Sequence, residues 1–183
     1  MRNPHCVFRG SRTYLHSTSL LNHILSKLDY EPRDIDFVFH KETANLCKIE
    51  NQAPADESQL IASYKDRKSR LYIVECGDPI LERTPYDETV VVSDSTIDEN
   101  RIAFPGLKPA YTFCECLIAG YKHLLENIFP EQTRKYAFAR LRLAIVPDGG
   151  FEIAHSRIIA SKFYQGDITV DGQGIGNIYF GIW

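Results

Sequence analysis

The chain has no Cys-x-x-Cys pair, no His-Glu-x-x-His and no Gly-x-Ser-x-Gly. Zinc enzymes and α/β-hydrolases therefore lose their usual signatures. The glycines of "DGQGIGN" (171–177) precede no helical pattern, so they make no nucleotide-binding loop. No run of 18 apolar residues occurs, which excludes a helical membrane span as an expectation. The opening "MRNPHCVFRGSRTY" lacks the apolar core of a secretory signal. Lys and Arg number 21 against 24 Asp and Glu, and a net charge of −3 argues against nucleic-acid binding. The five cysteines are an odd, scattered set. Cys114 and Cys116 stand about 200° apart on a predicted helix and cannot jointly grip a metal. Reduced, buried thiols in a cytoplasmic protein are the expectation, with no cofactor and no metal.

What is present is enough for a real core. The chain has 183 residues, 44% of them hydrophobic, the size of one ordinary domain. "HSTSLLNHILSKLDY" spaces Leu20, Leu21, Ile24, Leu25 and Leu28 for a helix over about 18–29. "RDIDFVFHK" alternates as a half-buried strand, and "NLCKIE" is placed to pair with it. The polar, proline-bearing "ENQAPADESQ" reads as a linker, dividing an N-terminal extension (1–55) from a main domain (56–183). "QLIASYKD", "SRLYIVECGD" and "ETVVVSD" read as β-rich. A long helix is expected over 109–128, with Phe113, Leu117, Tyr121, Leu124 and Ile128 on one face, followed by antiparallel strands to the end. The class is α+β. The basic "YKDRKSR" reads as a solvated hairpin loop, or else a docking patch for phosphate or an acidic carrier protein. "HILSKLDYEPRDIDFVF" and "HLLENIFPEQTRKYAFA" echo each other from helix end into aromatic strand, which raises a double repeat as an alternative.

"AFPGLKPAYTFCECLIAG" (103–120) carries a resemblance to the hot-dog superfamily, in particular the β-hydroxyacyl-carrier-protein dehydratases. Their helix opens with a His-Phe-Pro-Gly turn, then a proline, then apolar residues and a glutamate or aspartate. Phe104-Pro105-Gly106 and Pro109 through Glu115 match that order, with two residues fewer between turn and proline. "LAIVPDGGFEI" resembles the family's Val-x-Pro-Gly-Asp corner, and "ITVDGQGIGNIYFGI" its closing hairpin. The resemblance covers roughly 70–183 and implies a long antiparallel sheet wrapped around helix 109–128. It also implies a homodimer and a substrate that is an acyl thioester of coenzyme A or an acyl carrier protein. Gly106, Pro109 and Tyr111 would lie near the thioester. The family's catalytic histidine falls on Ala103, so half of a dehydratase's acid–base pair is missing from its place. Thioesterase-type chemistry depends less on it, since a helical carboxylate attacks the carbonyl or activates water and N–H groups at the helix start polarise the carbonyl. A non-catalytic acyl-binding or assembly protein is the rival.

Glu115 is the only charge from Pro109 to Tyr121. A solvated helix residue would normally share its face with other charges, which leaves a reactive acid or a structural partner of Arg140, Arg142 or Arg157. His16, just ahead of a helix, and His155, within a strand, are the candidate partners for Glu115 in catalysis. His23 and His123 read as structural residues on helices, and His40 ends a strand.

Overall fold

The structure, a computed structural model, describes residues 3–182, and the chain divides between Asp87 and Glu88 into two compact units. In the first unit β1 (Phe8–Arg9) leads to α1 (Ser17–Lys27), β2 (Ile35–Phe39), β3 (Asn45–Glu50), β4 (Leu60–Lys65), β5 (Arg70–Pro79) and β6 (Arg83–Thr84). Four of its strands form an antiparallel sheet in the order β3-β5-β4-β2, and β1 pairs in parallel with β6. Helix α1 buries Leu20, Leu21 and Ile24 as its periodicity demands, while Leu25 and Leu28 stay half-buried.

The first unit departs from the sequence reading in two ways. Strand β3 pairs with β5 rather than with β2, which takes β4 as its partner. The "ENQAPADESQ" segment is accordingly a connection between strands of one sheet, and the division falls at 87/88 instead of 55/56. The basic cluster is the β4–β5 hairpin loop, folded around a buried acid. Asp66 accepts from the Tyr64 and Tyr30 hydroxyls at 2.8 and 2.9 Å and from the Lys68 and Ser69 amides at 2.8 and 2.7 Å. Lys and Arg surround the loop because its outer side is water and its inner side is this one carboxylate.

The second unit comprises α2 (Glu88–Val92), β7 (Thr96–Asp98), β8 (Arg101–Phe104), α3 (Phe113–Ile128), β9 (Tyr136–Leu143), β10 (Phe151–Ile159), β11 (Phe163–Val170) and β12 (Gln173–Ile182). Its sheet runs β9-β12-β11-β10-β8-β7, antiparallel throughout. Helix α3 packs on the face carrying Ile102, Phe104, Ile153, Gly166 and Phe180, which is the hot-dog-like α+β arrangement expected. Every residue from Phe113 to Tyr121 is buried. Strand β12 lies between β11 and β9, so it is central in this sheet with a partner along both of its edges. Trp183 lies outside the described residues. The two echoing segments share a spacing: in each unit the next strand begins eight residues after the helix ends.

Two segments change type. "ETVVV" is helical despite its valines, because Val91 is buried, Lys122 pairs with Glu88 at 2.7 Å, and Lys108 donates to the Val90 carbonyl at 2.8 Å near the helix end. The run 151–163 is broken at its end by a hairpin turn in which Ala160 and Ser161 adopt φ of 50° and 54°. Neither residue prefers the left-handed region, so the sequence shows no turn signal there. Replacing Ala160-Ser161 by Asn-Gly is expected to raise stability by about 1 kcal/mol, read as a higher urea midpoint with an unchanged slope.

Candidate functional site

The site is built where β8 hands the chain to α3. Phe104 stacks on Phe151 with ring centroids 4.7 Å apart, and Phe151 meets Phe113 edge-on at 4.9 Å. A Cβ on Gly120 would lie 2.5 Å from the Phe104 ring, so the helix can approach this strand only because residue 120 has no side chain. The Pro-Asp-Gly-Gly corner closes on the same place. A Cβ on Gly150 would come within 2.8 Å of the carbonyl oxygens of both Phe104 and Pro105, so the two turns that carried the resemblance touch each other. A cleft of about 520 Å³ borders them, lined by Ala103, Pro105, Asp148, Glu152 and Asp171 among others. Lys108 fixes the far side of the connection through Val90, Ser93 (2.5 Å) and Asp94 (3.3 Å).

Helix α3 starts at Phe113, four residues later than expected. Thr112 is its N-cap, and Thr112-Phe-Cys-Glu115 is a capping box. Thr112 Oγ1 accepts from the Glu115 amide at 3.2 Å. Glu115 Oε2 accepts from the Thr112 amide and hydroxyl, each at 2.9 Å. The sequence signal for this, Thr-x-x-Glu ahead of an apolar run, was present. Pro109 drew the helix start forward because proline favours the first helical position. Glu115 is 7% exposed, which rules out the solvated helix residue. The N–H groups of Phe113 and Cys114, first in the helix, take no part in the box. They replace the 106–111 segment as the donors at the helix start.

The predicted site residues fall into three places. Gly106, Pro109 and Tyr111 lie on the connection between β8 and α3. Gly106 and Pro109 are exposed and Tyr111 is half-buried. His155 lies on β10, half-buried, its Nδ1 3.0 Å from the hydroxyl of Tyr121 and its ring among Phe129 and Tyr164. Burial pushes this imidazole below its usual pKa, against the opposing pull of Asp167. Tyr121 is six residues beyond Glu115, about 9 Å along the helix axis, so His155 meets α3 near its middle, away from the capping box. His16 belongs to the first unit, where it precedes α1, is buried, and holds Nδ1 2.5 Å from Thr18 Oγ1.

Ala103, where the family places its histidine, lies between Ile102 and Phe104 on β8. Both of those reach Gly120, so strand alternation turns Ala103 to the face away from α3. Cys114 and Cys116 are buried, and burial pushes their thiols up to about 12 and about 11. Cys76 is exposed, contrary to the expectation of uniformly buried thiols. Among the described residues no cluster of His, Cys, Asp and Glu could hold a metal, and no helix is long and apolar enough to cross a membrane.

No family model matches the chain, and no curated protein does. Among solved structures, a tesB protein of Mycobacterium avium subs paratuberculosis superposes with a TM-score of 0.50 at 8% identity, covering 97% of this chain and 91% of that one. The dehydratase domain of RzxB from Pseudomonas fluorescens gives 0.45 at 13% identity, with 95% and 92% covered. The dehydratase domain of PpsC from Mycobacterium tuberculosis, solved in complex with C12:1-CoA, gives 0.46 at 7%, with 93% and 85% covered. At these identities the likeness concerns the fold. The tesB superposition agrees with the hot-dog-like arrangement of strands around α3.

Proposed function

We propose that this hot-dog-like chain hydrolyses acyl thioesters of coenzyme A or of an acyl carrier protein, with Glu115 as its base. The observation that carries the reading is a buried carboxylate at the positive end of the helix enclosed by the sheet. Glu115 takes a proton from water as its oxygen attacks the thioester carbonyl. The N–H groups of Phe113 and Cys114 receive the charge that develops on the carbonyl oxygen, and the thiolate departs. Gly106, Pro109 and Tyr111 form the approach to this point, while His155, on the same unit, is the second candidate for proton transfer. Hydrolysis is favoured over dehydration because Ala103 supplies no imidazole and its position faces away from α3.

The same capping box supports a second reading. A carboxylate that accepts two hydrogen bonds from Thr112 serves the helix start, which suits a non-catalytic acyl-binding protein. Thiol release from acyl-CoAs of increasing chain length separates the two. Hydrolysis that saturates with substrate supports the enzyme, whereas saturable acyl-CoA binding without thiol release supports the binder. Absence of both overturns the acyl-thioester reading. Ala103→His is expected to leave dehydration of a 3-hydroxyacyl thioester undetectable, because the new imidazole points away from the helix. Appearance of an enoyl product would show that the strand register is wrong. A homodimer in the cytoplasm belongs to this reading, and sedimentation across a concentration series tests the dimer.

A further inference from the structure

Away from the capping box, the described residues expose six large apolar side chains, and three of them, Ile158, Ile159 and Phe163, share one hairpin tip. The tip joins β10 to β11, and every residue from Ser156 to Phe163 is exposed. Strand β8 pairs with β10 only over Phe151–Ala154, so the last stretch of β10 is held by β11 alone. Ile158 stands opposite Tyr164, whose ring meets Phe129 at the C-terminal end of α3. Ile159 stands opposite Phe163, and strand alternation puts that pair on the other face of the hairpin. The tip is therefore apolar on both faces. Its turn adds Ala160, an apolar residue kept at a φ of 50° where asparagine or glycine would fit at lower cost. The only charges from Ser156 to Phe163 are Arg157 and Lys162. Lys162 Nζ lies 5.6 Å from the centre of the Phe163 ring, and Arg157 Nε donates to Gln165 Oε1 at 3.1 Å. The acids nearby are held elsewhere. Asp167 accepts from Ser156, Gln165 and Asn177, while Asp98 and Glu99 belong to the β7–β8 turn, which meets β10 at His155, before the tip begins.

We propose that the β10–β11 tip is a membrane-contact element that seats this chain on an anionic lipid surface. Apolar side chains on both faces suit a medium that surrounds the tip, whereas a protein groove would cover one face and leave the other in water. Ile158, Ile159 and Phe163 enter the boundary between headgroups and acyl chains. Arg157 and Lys162, set directly beside them, are drawn to the negative headgroups, and no acid within the tip opposes that attraction. A second copy of the chain fits these charges less well, because two-fold pairing of tips brings like cations together. Contact through a single hairpin is shallow and reversible, so the chain docks on the surface without crossing it. Such docking needs no turnover at Glu115 and is measurable whatever the chemistry there.

Co-sedimentation of the full-length protein with lipid vesicles tests this, with phosphatidylglycerol and phosphatidylcholine in equal parts set against phosphatidylcholine alone. Binding to the mixed vesicles is expected, about 10-fold or more tighter than to the neutral ones, and it should weaken as salt is raised. Ile159→Ser and Phe163→Ser should each reduce it about 10-fold, and Lys162→Gln about 5-fold. These side chains are exposed, so the variants should melt close to the wild type. Val90→Ser, at an exposed apolar residue outside the tip, should bind as the wild type does. Ile158→Trp should add a fluorescence component that shifts to the blue on binding. Equal binding to both kinds of vesicle, binding unchanged in the tip variants, or no binding at all would overturn the proposal. So would a lipid-free dimer that dissociates in Phe163→Ser, since it would give the tip to a second copy of the chain.

Discussion

Glu115→Gln is expected to lower the hydrolysis of an acyl-CoA by about 10²-fold or more while moving the melting temperature by no more than about 4 °C. Glutamine preserves the shape and can still accept from the Thr112 amide, so the capping box survives in outline. What disappears is the negative charge at the helix start, worth about 0.3–1 kcal/mol in such a position, and with it the base. Thr112→Ala is the complementary change. It removes the N-cap at a cost of about 1 kcal/mol and leaves the carboxylate, so most of the turnover should remain. The pair of variants separates capping from chemistry. Wild-type turnover in Glu115→Gln would remove the carboxylate from the mechanism. Its unfolding would assign Glu115 to structure, through a role broader than the box.

The largest effect on stability belongs to the first unit. Asp66→Ala is expected to cost about 3–4 kcal/mol, since hydrogen bonds to a charged group contribute about 1.5–3 kcal/mol each and a stranded buried hydroxyl adds its own penalty. Tyr64 is fully buried, and its hydroxyl would lose its acceptor Asp66, as would the Lys68 and Ser69 amides of the turn. The wild type should show the same dependence through pH. Burial works to raise the Asp66 pKa, but the hydrogen bonds from Tyr64, Lys68, Ser69 and Tyr30 outweigh it and hold the group below its ordinary value. Glu75 is depressed likewise, by Thr43 first and then, against burial, by Lys41 and Asn45. A folded pKa below the unfolded one gives stability that is present above the unfolded value of about 4 and is lost as pH falls through the folded value. Urea midpoints should therefore fall gently from pH 7 to 5, where burial holds His40 and His155 below the ordinary imidazole pKa and so against protonation, and drop more steeply below about 4, with a shallower drop in Asp66→Asn. A level profile down to pH 3 would refute the assignment.

Local pattern revealed more of this protein than long-range pairing did. The stripe of Phe113, Leu117, Tyr121 and Leu124 announced α3, and its side chains are buried as the periodicity requires. Phe104-Pro105-Gly106 and the Pro147–Gly150 corner were readable as turns, but nothing in the sequence said that they touch. That contact depends on Gly150 meeting two carbonyls from a strand more than forty residues earlier. The boundary at 87/88 was hidden for a similar reason. The 50–59 segment has a linker's composition, yet it joins β3 to β4 in one sheet because β5 lies between them. Glu115 stands out by its isolation among apolar residues, while its bond to Thr112 is legible in the Thr-x-x-Glu spacing, with Pro109 a competing signal for the helix start. The hairpin at 160–161 could not be read at all, since Ala and Ser carry no preference for its backbone angles.

The strand order of the second unit also sets the sequence in which it can assemble. Strands β10, β11 and β12 follow one another through tight connections, so Ile159 finds Phe163 after closing a loop of three residues. Strand β8 reaches β10 only across the whole of α3 and β9, with 46 residues between Phe104 and Phe151. The logarithmic law of loop closure makes that second step dearer by about 2 kcal/mol of chain entropy. The β10–β12 meander is thus the natural nucleus, and capture of β8, with the carboxylate end of α3 beside it, is a late event. Slow folding steps and the completion of the carboxylate end of the helix are then one process, so a destabilised β8 would leave a chain with most of its sheet and without the Phe104–Gly150 contact beside α3.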